Sequence, residues 1–271
     1  MSTTIITAET LELSATRELF NAGFSGYLVP MHLDEPTFAT HLDRNDIDLA
    51  ASPVLVDGDP VAFALVGVRG ADAWIGGMGT VPAARRKGYA REVMQAAVDL
   101  AHARGCRSLW LEVIDANRPA LALYERLGFE TVRDLVVWSL PQGVGADEAV
   151  ALPLSRARSW IAAHRESGEP WQRADPVIAK LERDGEDLRA IALEQRGELV
   201  GAAIYTVSDG STRIIQIAAL DEASASTLLR SAAGAGPLSV GNVPEDDPAS
   251  QAMASLGGKL VARQHEMRLA L

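Results

Sequence analysis

The chain of 271 residues contains a single cysteine, Cys106. One thiol cannot form an internal disulfide, and it cannot build a multi-cysteine metal site. None of the five histidines has ligand spacing with another, so no metal is expected. No apolar run approaches the roughly 18 residues needed to cross a bilayer. The start, Met1-Ser2-Thr3-Thr4-Ile5-Ile6, lacks the basic segment and long apolar stretch of a secretory signal. These absences point to a cytoplasmic protein with no membrane partner. Positive charge is also short: 25 Lys and Arg against 36 Asp and Glu leave a formal net charge of −11. Phosphate neutralisation needs a basic face, which argues against nucleic acid as a partner. An acidic surface would attract a cationic amine, although it also serves plain solubility. Lysine occurs only at Lys87, Lys180 and Lys259 while arginine is plentiful, a coding bias without chemical meaning.

What is present is an ordinary globular balance, 48% hydrophobic and 23% charged residues, in a length that suits two domains. Apolar spacing predicts a helix over Thr7 to Asn21 and a second over Asp34 to Leu42, opened by Asp34 with Pro36 in its first turn. Pro53 to Val56 and Val61 to Val68 read as a hairpin about Asp57-Gly58-Asp59, followed by a strand over Ala73 to Thr80. A long helix over Arg86 to Arg104 stops at Gly105. A strand over Ser108 to Ile114, a helix over Pro119 to Leu127 and a strand over Thr131 to Leu140 complete the first half. This order predicts an α/β (α+β) fold, a mixed sheet flanked by helices with at least one parallel crossover.

The second half repeats the first. Leu127-Gly128 matches Leu256-Gly257, Val132 matches Val261, Leu140 matches Leu269 and Gly105 matches Gly234, at one constant offset. Gly58 matches Gly197 at an offset about ten residues longer. The missing ten residues fall between the strand ending near Thr80 and the body of the long helix, where the first half carries Val81 to Ala90. Two tandem domains are expected: 1–140, a linker at 141–153, and 154–271.

Val81 to Ala90 reads Val-Pro-Ala-Ala-Arg-Arg-Lys-Gly-Tyr-Ala, between a strand and a helix. Such a turn presents free backbone N–H groups at the positive end of a helix, which suits a phosphate or pyrophosphate. Gly88 permits close backbone approach, small Ala90 permits tight packing, and Arg85, Arg86 and Lys87 concentrate positive charge. Here the sequence resembles the GNAT superfamily of N-acetyltransferases, whose signature Q/R-x-x-G-x-G/A is filled by Arg85, Gly88 and Ala90. Asn117, seven residues before Tyr124, with Leu127-Gly128-Phe129 after it, looks like the family's second block. The resemblance covers about Ile5 to Leu140.

The resemblance implies an acetyl-CoA site in the first half. Backbone groups of Met78, Gly79 and Thr80 would hold pantetheine on a strand that splays from its parallel neighbour. Amides from Arg86 through Lys87, Gly88, Tyr89 and Ala90 to Arg91 would take the pyrophosphate, and Asn117 the pantetheine arm. By the same measure the second half has lost the loop. It carries Asp246 in the place of Asn117 and Met253 in the place of Tyr124, and so reads as a degenerate domain.

Acetyl transfer from a thioester to an amine needs a neutral amine, a stabilised oxyanion and a proton for the departing thiolate. Tyr124 is the expected proton donor, since a phenol near pKa 10 is close to a thiol's. The backbone N–H near Thr80 is placed to polarise the carbonyl. Glu112 alternates with Trp110 and Ile114 on its strand and resembles the proposed base of ribosomal-protein N-terminal acetyltransferases; solvent is the alternative base. Phe24, Tyr27, Met31 and His32, with Trp74 and Trp138, are candidates to line an acceptor pocket. The acceptor reads as a small-molecule amine or a peptide, on a monomer or homodimer. A non-catalytic acetyl-CoA sensor is the reading outside enzymes.

Overall fold

The computed structural model describes residues 3–28, 31–143, 145, 148–165 and 168–271. Met1 and Ser2, where the reading of the chain start began, lie outside them. The chain divides into two compact units, residues 1–132 with 265–271, and residues 133–264.

Unit 1 opens with β1 (Thr4–Thr7), α1 (Leu13–Gly23) and α2 (Glu35–Arg44). The helix expected over Thr7 to Asn21 therefore begins only at Leu13, because Thr4–Thr7 pairs with a later strand. A four-residue strand is too short to show a period. The Asp34 carboxylate caps α2 as expected, accepting from the Thr37 N–H at 2.9 Å. The hairpin forms from β2 (Pro53–Asp57) and β3 (Asp59–Arg69). Then come β4 (Asp72–Thr80), antiparallel to β3, α3 (Tyr89–Ala103), β5 (Ser108–Ile114), parallel to β4, and α4 (Arg118–Arg126). The sheet order is β1-β2-β3-β4-β5-β12, where β12 is Lys259–Ala270. Alternation on β3 sends Phe63 and Leu65 into a core with Phe20 of α1 and Phe38 of α2. Ala62, Ala64 and Val66 go to the opposite face, into a core with Met94 and Ala97 of α3 and Leu121 of α4.

Unit 2 takes β6 (Glu130–Leu140) from Arg133 onward, then β7 (Val150–Ala151), α5 (Leu154–Ala163) and α6 (Asp175–Arg183). It continues through β8 (Leu188–Gln195), β9 (Glu198–Ser208), β10 (Ser211–Ala219), α7 (Glu222–Ala233), β11 (Leu238–Pro244) and α8 (Pro248–Ser255). Its order is β6-β11-β10-β9-β8-β7. Part of the expected linker is thus structural: Val150 and Ala151 pair with Ala192 and Ile191.

The repeat is real at the level of elements, and its missing residues can be placed. Eight residues, 81–88, separate β4 from α3, whereas Leu220 and Asp221 alone separate β10 from α7. That accounts for six of the ten. α7 has 12 residues against 15 in α3, and α8 has 8 against 9 in α4, which accounts for the other four. This corrects both the expectation that all ten fall before the body of the long helix and the match of Gly105 to Gly234. Because one loss falls at the start of α8, the capping counterpart of Asn117 is Asp247 rather than Asp246.

The expected boundaries, 1–140 and 154–271, differ from the contact division in the last strand of each half. Residues 133–140 belong to unit 2, and 265–271 to unit 1. β6 and β12 are repeat equivalents with matching apolar positions, so only long-range pairing decides which unit each one completes. Met267 on β12 is 1% exposed within the unit 1 core. Met267→Ala should therefore destabilise the protein by about 2–5 kcal/mol. Urea unfolding is the check, and a change within about 0.5 kcal/mol, the range of surface substitutions, would refute this assignment of the strand.

Candidate active site

The two parallel strands of unit 1 pair only over Asp72–Trp74 and Ser108–Trp110. Beyond that point β4 runs on to Thr80 and β5 to Ile114, so the sheet opens into a fork. A bulge at Gly76 marks the opening: Val66 pairs with Ile75, and Leu65 with Gly77. The Gly76 carbonyl accepts from His41 Nε2 at 3.2 Å, while Asn45 Nδ2 faces His41 Nδ1 at 3.3 Å. These partners set the tautomer, and burial pushes the His41 pKa down. Farther along, a Cβ on Gly79 would lie 3.0 Å from the Gly23 Cα of α1, so close packing of α1 on β4 demands glycine there. Met78, Gly79 and Thr80, the residues expected to offer backbone groups, all lie on the arm of the fork.

The turn after β4 is held by Arg85. Its guanidinium donates to the carbonyls of Thr80 at 3.0 Å, Gly23 at 3.1 Å and Ser25 at 2.8 Å. This corrects the expectation that Arg85 lends charge to a phosphate: its side chain ties the turn to α1. Arg86 adopts φ 66° and Gly88 φ 91°, left-handed positions two residues apart, a backbone habit of anion-binding turns. Gly88 is the N-cap of α3 and supplies no side-chain cap, so the helix start that the sequence put at Arg86 falls at Tyr89. The first N–H groups of a helix have no intrahelical partner, and the dipole makes that end positive. Arg86, Lys87, Gly88 and Arg91 are exposed around it. Tyr89 donates its hydroxyl to Asp57 at 2.7 Å, which fastens the turn to the β2–β3 hairpin.

On the other arm, Asn117 caps α4, its Oδ1 accepting weakly from the Ala120 N–H at 3.4 Å. Seven residues make two helical turns, so Tyr124 lies on the same face of α4. Its ring packs 5.8 Å from Phe129 and is 7% exposed. Burial drives the Tyr124 phenol well above its ordinary pKa, with the Tyr27 hydroxyl adding to the rise. Burial also raises Tyr27, against a hydrogen bond to Asn117 that lowers it. Tyr27, Asn117 and Tyr124 therefore form one polar cluster in an otherwise apolar setting. Glu112 alternates as expected, and its Oε2 accepts from the Trp74 indole N–H at 2.7 Å, across the root of the fork.

The expected acceptor lining divides. Phe24 and Trp74 are core residues, 9% and 1% exposed, Phe24 packing on Phe20 and Phe63. They can support a wall from behind but offer little surface. Tyr27 is half-buried, Met31 partly exposed and His32 exposed. Trp138 belongs to unit 2, where its indole donates to Ser250. Sequence reasoning missed His41, Asp57 and the link from Trp74 to Glu112. Their partners lie 35, 32 and 38 residues away, beyond any local signal.

In unit 1, then, a fork of unpaired strand lies beside a helix start that has no side-chain cap. Comparison with known proteins identifies the family. Residues 13–129 match the acetyltransferase (GNAT) family. The ribosomal protein bS18-alanine N-acetyltransferase of Escherichia coli K12 is 32% identical over 125 residues, 45% of this chain and 80% of that protein. Streptothricin acetyltransferase of Streptomyces lavendulae is 41% identical over 78 residues, 27% of this chain and 40% of that protein, so the chain spans about two fifths of that relative. A tandem GNAT protein from the clavulanic acid biosynthesis pathway superposes over 99% of this chain and 98% of its own at a TM-score of 0.59 and 14% identity, which speaks for the fold alone. The chain belongs to the GNAT family of N-acetyltransferases and carries two tandem domains of that fold. Among the described residues no helix is long and apolar enough to cross a membrane.

The neutral form of His41 yields a pH prediction. Its folded pKa lies below the ordinary value near 6.5, so between the two the unfolded chain binds the extra proton and stability rises with pH. The stability advantage of wild type over His41→Gln should be full above about pH 6.5 and shrink as pH falls below it. Denaturant unfolding from pH 5 to 8 is the check. An advantage that grows on acidification would show that His41 is held protonated.

Proposed function

We propose that unit 1 transfers an acetyl group from acetyl-CoA to the primary amine of a small molecule by direct attack. The observation that carries this reading is the fork of β4 and β5 lying beside the uncapped start of α3, with Tyr124 two helical turns from the Asn117 cap. These residues fit the donor: backbone groups of Met78, Gly79 and Thr80 for the pantetheine arm, and amides from Arg86 to Arg91 for the diphosphate. Bound there, acetyl-CoA supplies an activated acyl group and a thiolate leaving group. The Thr80 amide polarises the carbonyl. Glu112, steadied by Trp74, takes a proton from the incoming ammonium through water, so that the amine attacks neutral. As the C–N bond forms and the C–S bond breaks, Tyr124 gives its proton to the sulfur, and the acylated nitrogen sheds its surplus proton to restore the phenol. Burial raises the pKa of the Tyr124 phenol, so it stays protonated until a thiolate forms beside it.

A second reading, acetylation of a protein N-terminus, draws on the similarity to the ribosomal protein bS18-alanine enzyme. The similarity to streptothricin acetyltransferase draws the other way. Release of free CoA with a panel of small amines, set against peptides beginning with alanine, separates the two. Neither class releasing thiol while CoA still binds would leave the sensor reading.

Tyr124→Phe should lower kcat by about 10²-fold or more, the usual weight of a general acid, with the KM for acetyl-CoA within about twofold of wild type, the mark of an interaction made only in the transition state. A kcat near wild type would remove Tyr124 from the chemistry. Trp74→Phe and Glu112→Gln should each slow turnover, and the double variant should be no slower than Glu112→Gln alone, since both act through one carboxylate. Multiplied losses would show that Trp74 works independently of Glu112.

A further inference from the structure

Unit 2 has the same fork, and the chain fills it with its own side chains. β10 pairs with β11 only over Thr212–Ile214 and Leu238–Val240, three residue pairs as in unit 1. A register shift leaves Ile215 bulged where Gly76 bulges in unit 1. Past this point β10 runs to Ala219 and β11 to Pro244. The segment between α5 and α6 sends two arginines to the two arms. Arg165 Nη2 donates to the Ile217 carbonyl of β10, and Arg173 Nη1 to the Gly241 carbonyl of β11 at 3.1 Å. Glu169 joins them, 2.7 Å from Arg165 Nε and 3.1 Å from Arg173 Nε. Asp247, the cap of α8, lies 3.4 Å from Arg165 Nη1, and Gln216 on β10 donates to the Arg173 carbonyl at 2.7 Å.

The cluster is deeply buried, with Arg173 3% exposed, and burial raises the Glu169 pKa and lowers that of Arg173. Charges placed so deep persist only when paired, and here each guanidinium, beside its ion pair with Glu169, donates to a strand carbonyl past the point where the two strands part. The helix start is closed too. Asp221 caps α7 by accepting from the Ser224 N–H at 2.7 Å, which sets a carboxylate where Gly88 leaves the N–H groups of α3 uncapped.

We propose that Arg165, Glu169 and Arg173 form an internal plug in the fork of unit 2, so that one chain binds one molecule of acetyl-CoA, in unit 1. The stoichiometry rests on the reading of unit 1 given above; the plug does not. Titration calorimetry of the full chain with CoA should give one site. Hydrogen exchange should show CoA protecting residues 76–91 and leaving 215–221 and 241–247 unchanged. Gly88→Asp, which copies Asp221 into unit 1, should weaken binding at least tenfold. Two sites, protection of the second fork, or binding that survives Gly88→Asp with protection moved to unit 2 would overturn the plug. No binding at all would sink the reading of unit 1, and the plug is then decided by Glu169→Ala. That variant should melt at lower temperature, and formate, but not chloride at equal ionic strength, should restore part of the loss by replacing the carboxylate between the arginines. A rescue by both salts alike, or by neither, overturns the proposal.

Discussion

Two parallel strands that stop pairing inside a folded domain create a debt of backbone hydrogen bonds, and much of this protein is arranged around that fact. In unit 1 the pairing ends after Trp74, and the arm of β4 beyond it is supported from the side. His41 takes the Gly76 carbonyl, Arg85 takes that of Thr80, and α1 packs closely enough that Gly79 cannot carry a side chain. The arm is thereby braced while its edge toward β5 carries no strand pairing. Backbone donors orient any partner only as well as they are themselves oriented.

The chemistry of the site follows from burial more than from charge. The polar cluster of Tyr27, Asn117 and Tyr124 sits among apolar groups, and burial keeps both phenols protonated. Three exposed cations, Arg86, Lys87 and Arg91, stand around the turn in a chain whose net charge is −11. Arg85, the member of the basic run that sits in the family signature, acts on the fold.

Unit 2 meets the same backbone requirement by other means. The turn shrinks to two residues, the cap becomes an aspartate, and guanidinium groups reach the carbonyls of the open arms. One architecture thus occurs twice in the chain, once with no side-chain cap at the helix start beside the fork and once with a capped helix and side chains bonded to the strand carbonyls. Membership of the GNAT family and the tandem fold stand on direct comparison.

What the sequence by itself determined is local. The order of helices and strands, the turn from Val81 to Gly88 and the two-turn spacing of Asn117 and Tyr124 all follow from caps, glycines and periodicity acting within a few residues. The internal repeat was legible for the same reason, since glycines at turns recur wherever the backbone needs them. Only the tertiary structure decided where β4 and β5 part, that Arg85 binds carbonyls, that Trp74 reaches Glu112, and that β12 completes unit 1. Each of these joins residues tens of positions apart, and each is settled by which buried backbone or polar group finds a partner, a competition across the whole fold that no short stretch of chain records.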